Sequence, residues 1–440
     1  MNTNLSFWPL LERIRATVPA GVPVYLVGGA IRDALRGYPI HDYDFATPDD
    51  ALKVARMVAN QLGAAYFPLD VERATARVIY TSEEGVRTVL DFAALRGPDL
   101  ESDLRDRDFT LNAMAIEIRS PQRLIDPMGG AADLQANLLR ACSSRAFQND
   151  PVRILRAIRG ASAFDLRIEA VTISLMRQAI AGLELVSAER IRDELLKILA
   201  GPRPHIALQT LEHLGALPRL LPEVLALNGV QQTAPHTLDV WRHTLATLRY
   251  LEQILAVLKP GSDPQLADNL TLGLLVLHLK NFRSDIWDYL QAEFVPERSR
   301  RQALFLAALY HDIGKPQTWA QETGGRIRFI GHEQIGEELV ASRATALKMS
   351  NQEVEWISAV VRHHMRPTLL AHELKGPSRR TIYRFYRDAG LAGVGVALLS
   401  LADLWATYGA TMPQERWNDQ LEVVHDLLQA WWRQQDETVA

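Results

Sequence analysis

The stretch Leu26-Val27-Gly28-Gly29-Ala30-Ile31-Arg32-Asp33, continuing to His41-Asp42-Tyr43-Asp44-Phe45, decides how this chain is read. Val24-Tyr25-Leu26-Val27 is a short β-branched run that ends on two glycines. A helix-like segment follows over residues 30–36 and is broken by Gly37, Tyr38 and Pro39. Glycines at such a strand-to-helix junction let a ligand approach the backbone, and the start of a helix favours an anion. Arg32, on the first turn, reaches toward the same anion. Thirteen residues after Gly29 comes Asp42, and Asp42 and Asp44 share one face of a second strand. Two converging carboxylates repel unless a cation lies between them. Mg²⁺ held by carboxylates and phosphates is the usual answer. Gly-Gly alone marks a turn and Asp-x-Asp alone a strand end; together they read as a phosphate and metal site.

Outward from this stretch the first part of the chain is α+β. Asp49 and Asp50 open an amphipathic helix running to about Leu62, with Gly63 after it. Strand patterns follow over 76–80 and 86–92. One strand, a long helix and then adjacent strands predict a small mixed sheet rather than a doubly wound one. After residue 140 strand signals vanish. Residues 150–163, 170–181 and 188–200 carry apolar residues at helical spacing. Gly201-Pro202-Arg203-Pro204 is the clearest linker. Helices alone are expected beyond it, broken at Pro260-Gly261, Pro316 and Gly376-Pro377. The predicted parts are a head over 1–140, a basic helical neck over 141–203 and an all-α body over 204–440.

Composition excludes several classes. Of 440 residues, 48% are hydrophobic and 23% charged, as in a soluble globular protein. Net charge is −4, which excludes a broadly basic nucleic-acid binder. The charge is uneven: residues 1–140 hold 15 Lys+Arg against 19 Asp+Glu, whereas residues 141–205 hold 10 against 7. One cysteine, Cys142, makes neither an internal disulfide nor a thiolate zinc site, so a cytoplasmic protein is expected. Glu12 and Arg13 interrupt the first apolar stretch, so no signal peptide is expected. No membrane partner is expected either, because apolar runs such as Leu270–Leu279 fall short of the roughly 18 residues a bilayer needs.

Asp150, Arg153, Arg156 and Arg159 recur every third residue and form a drifting stripe on a predicted helix. Three arginines on one side suit phosphate or base edges. Further along, His243 lies in Trp241-Arg242-His243-Thr244, and His311 and Asp312 lie in Tyr310-His311-Asp312-Ile313-Gly314-Lys315. His332 lies in Gly331-His332-Glu333, His363-His364 follows Arg362, and Asp403 sits on an apolar helix. Imidazole with carboxylate suits Mn, Ni, Fe or Mg.

Read together, the motifs resemble class II tRNA nucleotidyltransferases and bacterial poly(A) polymerases, within the polymerase-beta-like nucleotidyltransferase fold. The first motif is the stretch quoted above. Arg107-Asp108-Phe109-Thr110-Leu111-Asn112-Ala113-Met114 is similar to the second. Asp126-Pro127-Met128-Gly129-Gly130 resembles the third, Asn149-Asp150-Pro151-Val152-Arg153 the fourth, and residues 189–195 the fifth. The resemblance implies that Asp42 and Asp44 bind two Mg²⁺ ions that activate an RNA 3′-hydroxyl and stabilise pyrophosphate. It implies that Gly28, Gly29 and Arg32 hold the triphosphate, that Arg107 and Asp108 contact the nucleotide, and that Asp150 and Arg153 read its base. The His…His-Asp…Asp series resembles the HD phosphohydrolases. That maps ligands to His243, His311, Asp312 and Asp403, with His332 and one of His363 or His364 completing a second metal site. Mn²⁺, Ni²⁺ or another divalent metal is implied there.

Two positions depart from the family pattern. Asn149 stands where the family carries Glu beside the base-reading pair, and Asp106 stands where it carries Arg. The expected activity is template-independent addition of cytidine, CC, to the 3′ end of tRNA from CTP. Full CCA addition from CTP and ATP is the alternative. CCA-adding members carry a flexible loop before the Arg-Asp-Phe-Thr motif, and here only residues 97–102 stand in its place. At about 3.6 Å per extended residue, that is a turn and not a lever. A separate A-adding enzyme would then finish the same tRNA. Poly(A) polymerase is a rival, but Gln434-Gln435-Asp436-Glu437 is no basic tail. A metal-dependent HD phosphohydrolase with an RNA-binding N-terminal part is the alternative from another enzyme class.

Overall fold

The computed structural model describes residues 9–40, 42–82, 85–373 and 376–439. His41 of the opening motif lies outside them. The chain divides into two compact units, residues 1–179 and 180–440.

The first unit is built on a seven-stranded mixed sheet. Its strands are β1 (Tyr25–Val27), β2 (Asp42–Thr47), β3 (Ala65–Asp70), β4 (Thr75–Thr81), β5 (Arg87–Ala94), β6 (Ala115–Glu117) and β7 (Leu124–Ile125). Their spatial order is β3-β4-β5-β2-β1-β6-β7. β5 pairs parallel with β2 and every other pairing is antiparallel. A parallel return needs a long crossover, which the Ala51–Leu62 helix begins. Asp50 caps that helix by accepting from Lys53 N at 3.1 Å, and Gly63 ends it at φ +63°. The alternation on β2 buries Tyr43 and Phe45 and leaves Asp42 and Asp44 accessible. Phe45 stacks on Phe92 of β5 at 4.8 Å, and the helix lays Val54, Val58 and Leu62 into the same core. The mixed sheet and α+β head agree with the sequence reading.

The second unit is mainly helical. Helices Val240–Leu258, Arg300–Tyr310, His332–Ala346, Asn351–His363 and Gly393–Tyr408 carry, or end just before, His243, His311, Asp312, His332, His364 and Asp403. Residues 393–407 are all buried. The run 379–411 is long and apolar enough to cross a bilayer, which corrects the expectation that no run is; 89% of its most apolar window is buried inside the protein, which marks it as core.

Three further expectations are corrected. Strands do not vanish after residue 140, since two-stranded ribbons occur at Leu138–Leu139 with Arg167–Ile168, Glu293–Val295 with Arg298–Ser299, and Ala320–Gln321 with Ile327–Arg328. Strands of two or three residues are too short to show an alternating pattern. β3 was also hidden, because Phe67 and Leu69 are exposed at the sheet edge and Pro68 interrupts the run. The neck helix begins at Arg153, not Asp150: Asp150 precedes Pro151 and is extended, with φ −151° and ψ 93°.

Candidate functional site

In the first unit the sheet register assembles the site. Val27 lies opposite Asp44 across β1 and β2, and Asp44 lies opposite Asp91 across β2 and β5. Gly28, immediately after β1, has φ +78°, a conformation that favours glycine. A Cβ there would stand 3.1 Å from Arg107 Nη1 and 3.4 Å from Asp44 Oδ2. The glycine thus lets an arginine and a carboxylate close over the chain. The Gly29–Leu35 helix is only seven residues long, so the anion-holding charge rests on Arg32. Arg32 Nη1 donates to Asn112 Oδ1 at 2.7 Å, its Nε donates to Asp33 at 2.9 Å, and its guanidinium lies 4.1 Å over the Phe164 ring. Burial presses the Arg32 pKa down while Asp33 pulls it back up.

Asp44 is accessible on β2 yet crowded by its neighbours. That crowding raises its pKa; Arg107 opposes the rise, and the nearby Asp91 and Asp42 add to it. Asp91 was not anticipated in the sequence. It is held by a bidentate pair from Arg77 on β4, both bonds at 2.9 Å. Arg107 is held at 3.1–3.2 Å by the buried carboxylate of Asp103, which also accepts from Arg96 N at 3.1 Å. Asp108 Oδ1 accepts from Phe109 N at 2.8 Å and Asn112 Nδ2 at 3.0 Å, and its Oδ2 pairs with Arg156 at 3.0 Å. Arg159 lies close enough to Arg32 to lower its pKa.

Arg153 differs from its expected role. It is 7% exposed, and its guanidinium donates to the carbonyls of Asp106 at 2.8 Å and of Arg107 and Ala146 at 3.3 Å. A buried guanidinium must satisfy its donors, and the turn bearing Arg107 and Asp108 supplies the acceptors. Arg153 therefore braces that turn and does not face an open base edge. Asp150 lies outside the helix that carries the arginines.

In the second unit a histidine and carboxylate cluster is buried. Asp312 Oδ2 stands 3.2 Å from His311 Nε2 and 3.6 Å from His243 Nε2. Its Oδ1 stands 3.4 Å from His332 Nε2 and 3.8 Å from His364 Nε2. Asp403 Oδ1 meets His243 Nε2 at 2.9 Å. Two metal-competent trios result, His243–His311–Asp312 and Asp312–His332–His364, with Asp312 shared. The Nδ1 atoms of His311, His332 and His364 face the carbonyls of Ala308, Phe329 and Val361 at 2.7–2.8 Å. Those contacts place a proton on each Nδ1 and point each Nε2 inward. His363 is half-buried beside Arg362 and Arg366, so His364 completes the second trio. Gly314 permits the approach of the two segments, since a Cβ on it would stand 2.2 Å from His332 O.

The sequence reading missed two neighbours of this cluster. Lys315 Nζ reaches Asp312 Oδ2 at 2.7 Å and Gln232 Oε1 at 2.7 Å. His236 packs edge-on against His243 at 5.2 Å, and burial with the adjacent His243 charge takes its pKa down to about 3. Burial opposes charge on His311 as well, but Asp312 and Asp403 outweigh it and push its pKa up to about 10. The buried Asp312 Oδ2 and His311 Nε2 lack a properly aligned hydrogen bond. The two trios bring imidazole nitrogens and a carboxylate oxygen within ligating reach of one another, a donor set that fits a divalent metal with mixed N and O ligands. The two carboxylates that β2 presents on one face, Asp42 and Asp44, are oxygen donors of the kind Mg²⁺ takes.

Comparison with known proteins follows this geometry. Family models match residues 24–140 as "Poly A polymerase head domain", 165–227 as "Probable RNA and SrmB- binding site of polymerase A" and 240–404 as "HD domain". An A-adding tRNA nucleotidyltransferase of Deinococcus radiodurans is 37% identical over 77% of this chain and 68% of its own. A CC-adding tRNA nucleotidyltransferase of Thermus thermophilus is 30% identical over 89% of this chain and 77% of its own. The chain belongs to the tRNA nucleotidyltransferase family. Its enzyme class is therefore nucleotidyl transfer, with an HD domain in the same chain. A solved structure titled "The structure of CCA-adding enzyme apo form I" shares the fold, with TM-score 0.58 and 23% identity over 98% of this chain and 81% of that one. This tRNA nucleotidyltransferase thus carries an Asp42 and Asp44 carboxylate pair in its first compact unit and two metal-competent trios sharing Asp312 in its second.

Proposed function

We propose that the enzyme adds cytidine nucleotides, CC, to the 3′ end of tRNA from CTP by two-metal nucleotidyl transfer. The observation that carries nucleotidyl transfer is the juxtaposition of Asp42, Asp44 and Asp91 with Arg107 beside the Gly28 backbone. Two Mg²⁺ ions, when bound, supply Lewis-acid activation of the 3′-hydroxyl and neutralise the leaving pyrophosphate. Asp42 and Asp44 hold them, and Asp91 adds a third carboxylate whose availability Arg77 governs. Arg32, fixed by Asn112 and Phe164, orients the triphosphate. Arg107, fixed by Asp103, adds a second cation at the same place. Asp108 and Arg156 form a paired carboxylate and guanidinium for the sugar and base.

Single-base choice is supported by the segment before Arg107. The Leu100–Arg105 helix is closed at its start by a capping box of Asp99 and Ser102, and Asp103 ties it to Arg96 and Arg107. A pocket wall fixed in that way has one shape, and one shape suits one base. A CC-adding relative of Geobacter sulfurreducens, 43% identical over 44% of this chain and 46% of its own, supports cytidine. The Deinococcus relative favours a second reading, addition of the terminal A. The deciding assay supplies tRNA lacking CCA, ending in C, or ending in CC, with CTP or ATP alone, and sequences the products. Growth to CC with CTP and none with ATP is expected. Addition of A to a CC end overturns cytidine specificity, and the absence of any addition overturns the transferase reading of this chain. Under the CC reading, a separate A-adding enzyme completes the tRNA.

The HD cluster is proposed as a metal-dependent phosphohydrolase for phosphomonoesters or 2′,3′-cyclic phosphates. Hydrolysis dependent on Mn²⁺, Ni²⁺ or another divalent metal is expected, lost in Asp312→Ala with nucleotide addition retained. A chain that binds no metal in that unit would refute it. Cytoplasmic location belongs to the same reading, since the sole cysteine, Cys142, makes no internal disulfide.

A further inference from the structure

The Arg379–Ala389 helix carries a charge pattern that neither site uses. Arg379, Arg380, Arg384 and Arg387 fall within nine residues, although residues 206–440 as a whole hold 23 Lys+Arg against 26 Asp+Glu. All four are exposed. We infer that this face is a docking surface for the phosphate backbone of the tRNA substrate.

The helix cannot turn its arginines inward. Phe385, Tyr386 and Ala389 fill its opposite face. The Phe385 and Tyr386 rings meet edge-on at 4.9 Å, and Tyr386 Oη donates to Leu427 O at 2.7 Å. Ser378 fixes the start of the helix by accepting from Thr381 N at 3.2 Å. Arg380, Arg384 and Arg387 stand at i, i+4 and i+7, so they form a stripe spanning about 10 Å of helix axis. Arg387 is pinned to Asp388 at 2.8 Å, and Arg366 shares that carboxylate at 2.9 Å. Among the described residues no carboxylate pairs with Arg379, Arg380 or Arg384. Like charges held on one rigid face repel, and an external polyanion relieves that repulsion. Tyr383, 61% exposed, lies between the arginines and offers a ring for a base or ribose. An anionic membrane is a poor fit, because the apolar side of the helix is spent on the protein core. Family membership supplies an RNA partner.

The test measures binding of a tRNA transcript lacking its 3′ CCA by the full chain across a KCl series. In R380E/R384E the Kd is expected to rise at least about tenfold near 0.1 M salt, and the slope of log K against log salt to fall by roughly one to two. R380K/R384K is expected to stay close to the parent. The charge-matched control R326E/R328E, at exposed positions elsewhere in the unit, is expected to leave Kd within about twofold. Turnover at saturating tRNA is expected to remain unchanged in R380E/R384E, which separates docking from chemistry. Unchanged Kd and slope in R380E/R384E, or an equal loss in the control, overturns the inference. Loss of turnover at saturating tRNA also overturns it, because the face would then serve chemistry or folding.

Discussion

At the residue scale, Asp44 is a group the metal-free fold tolerates at a cost. Its pKa is raised, so the folded chain holds a proton there more tightly than the unfolded chain, and stability falls as pH climbs through the folded value. Asp44→Asn removes that charge without changing shape. Nucleotide addition is expected to fall at least about a thousandfold, while the melting temperature in EDTA at neutral pH rises by a few degrees. Addition near the parental rate, or a lowered melting temperature, would count against this account. Arg153 yields a different expectation. Since it braces the carbonyls of residues 106, 107 and 146, Arg153→Ala is expected to loosen the turn that positions Arg107 and Asp108. Incorporation of every accepted nucleotide should drop by a similar factor, about tenfold or more, as for other disrupted positioning contacts. A changed ratio of CTP to ATP use, with kcat preserved, would return Arg153 to base reading.

At the element scale, the HD site depends on two chain segments meeting without side-chain bulk between them. Gly314 lies after the Arg300–Tyr310 helix, against the start of the His332–Ala346 helix. A methyl group there would meet a backbone carbonyl at 2.2 Å, and backbone cannot rotate aside. Gly314→Ala is therefore expected to push His332 from Asp312 and to cost about 1–3 kcal/mol of stability. Metal analysis should show the Asp312–His332–His364 trio emptied before the His243–His311–Asp312 trio. Full metal content in a folded Gly314→Ala protein would contradict that order.

At the scale of the whole molecule, the chain holds two charged centres that both bind a proton more tightly when folded, Asp44 in the first unit and His311 in the second. In the metal-free second unit His311 titrates near 10, above its ordinary 6.5. Its contribution to stability is present in full below about 6.5 and is lost as pH rises through about 10. Metal must displace the same proton from Nε2, so affinity for Mn²⁺ or Ni²⁺ is expected to climb between those limits. Calorimetry of EDTA-treated protein, and metal titration at pH 6.5 and 9, read the two trends. A pH-independent metal affinity across that range would show that His311 is not a ligand.

The sequence by itself determined the local devices. The glycine pair after a strand, the shared face of Asp42 and Asp44 and the capped helix ending at Gly63 all follow from spacing within a few residues, whereas the HD ligands, spread from His243 to Asp403, were legible only through the family resemblance. Local geometry repeats at fixed periods, so composition and period suffice for the local devices. The tertiary structure alone decided what those devices face. Asp91 joins Asp44 because β5 returns parallel to β2 in one register, and Arg77 reaches Asp91 through the next strand. His364 and not His363 completes the second trio because the end of the Asn351–His363 helix turns that side chain inward. Arg153 became a brace because its buried guanidinium meets the carbonyls of Asp106, Arg107 and Ala146. Pairings between distant segments are set by which buried faces and polar groups must be satisfied together, and no local period records that.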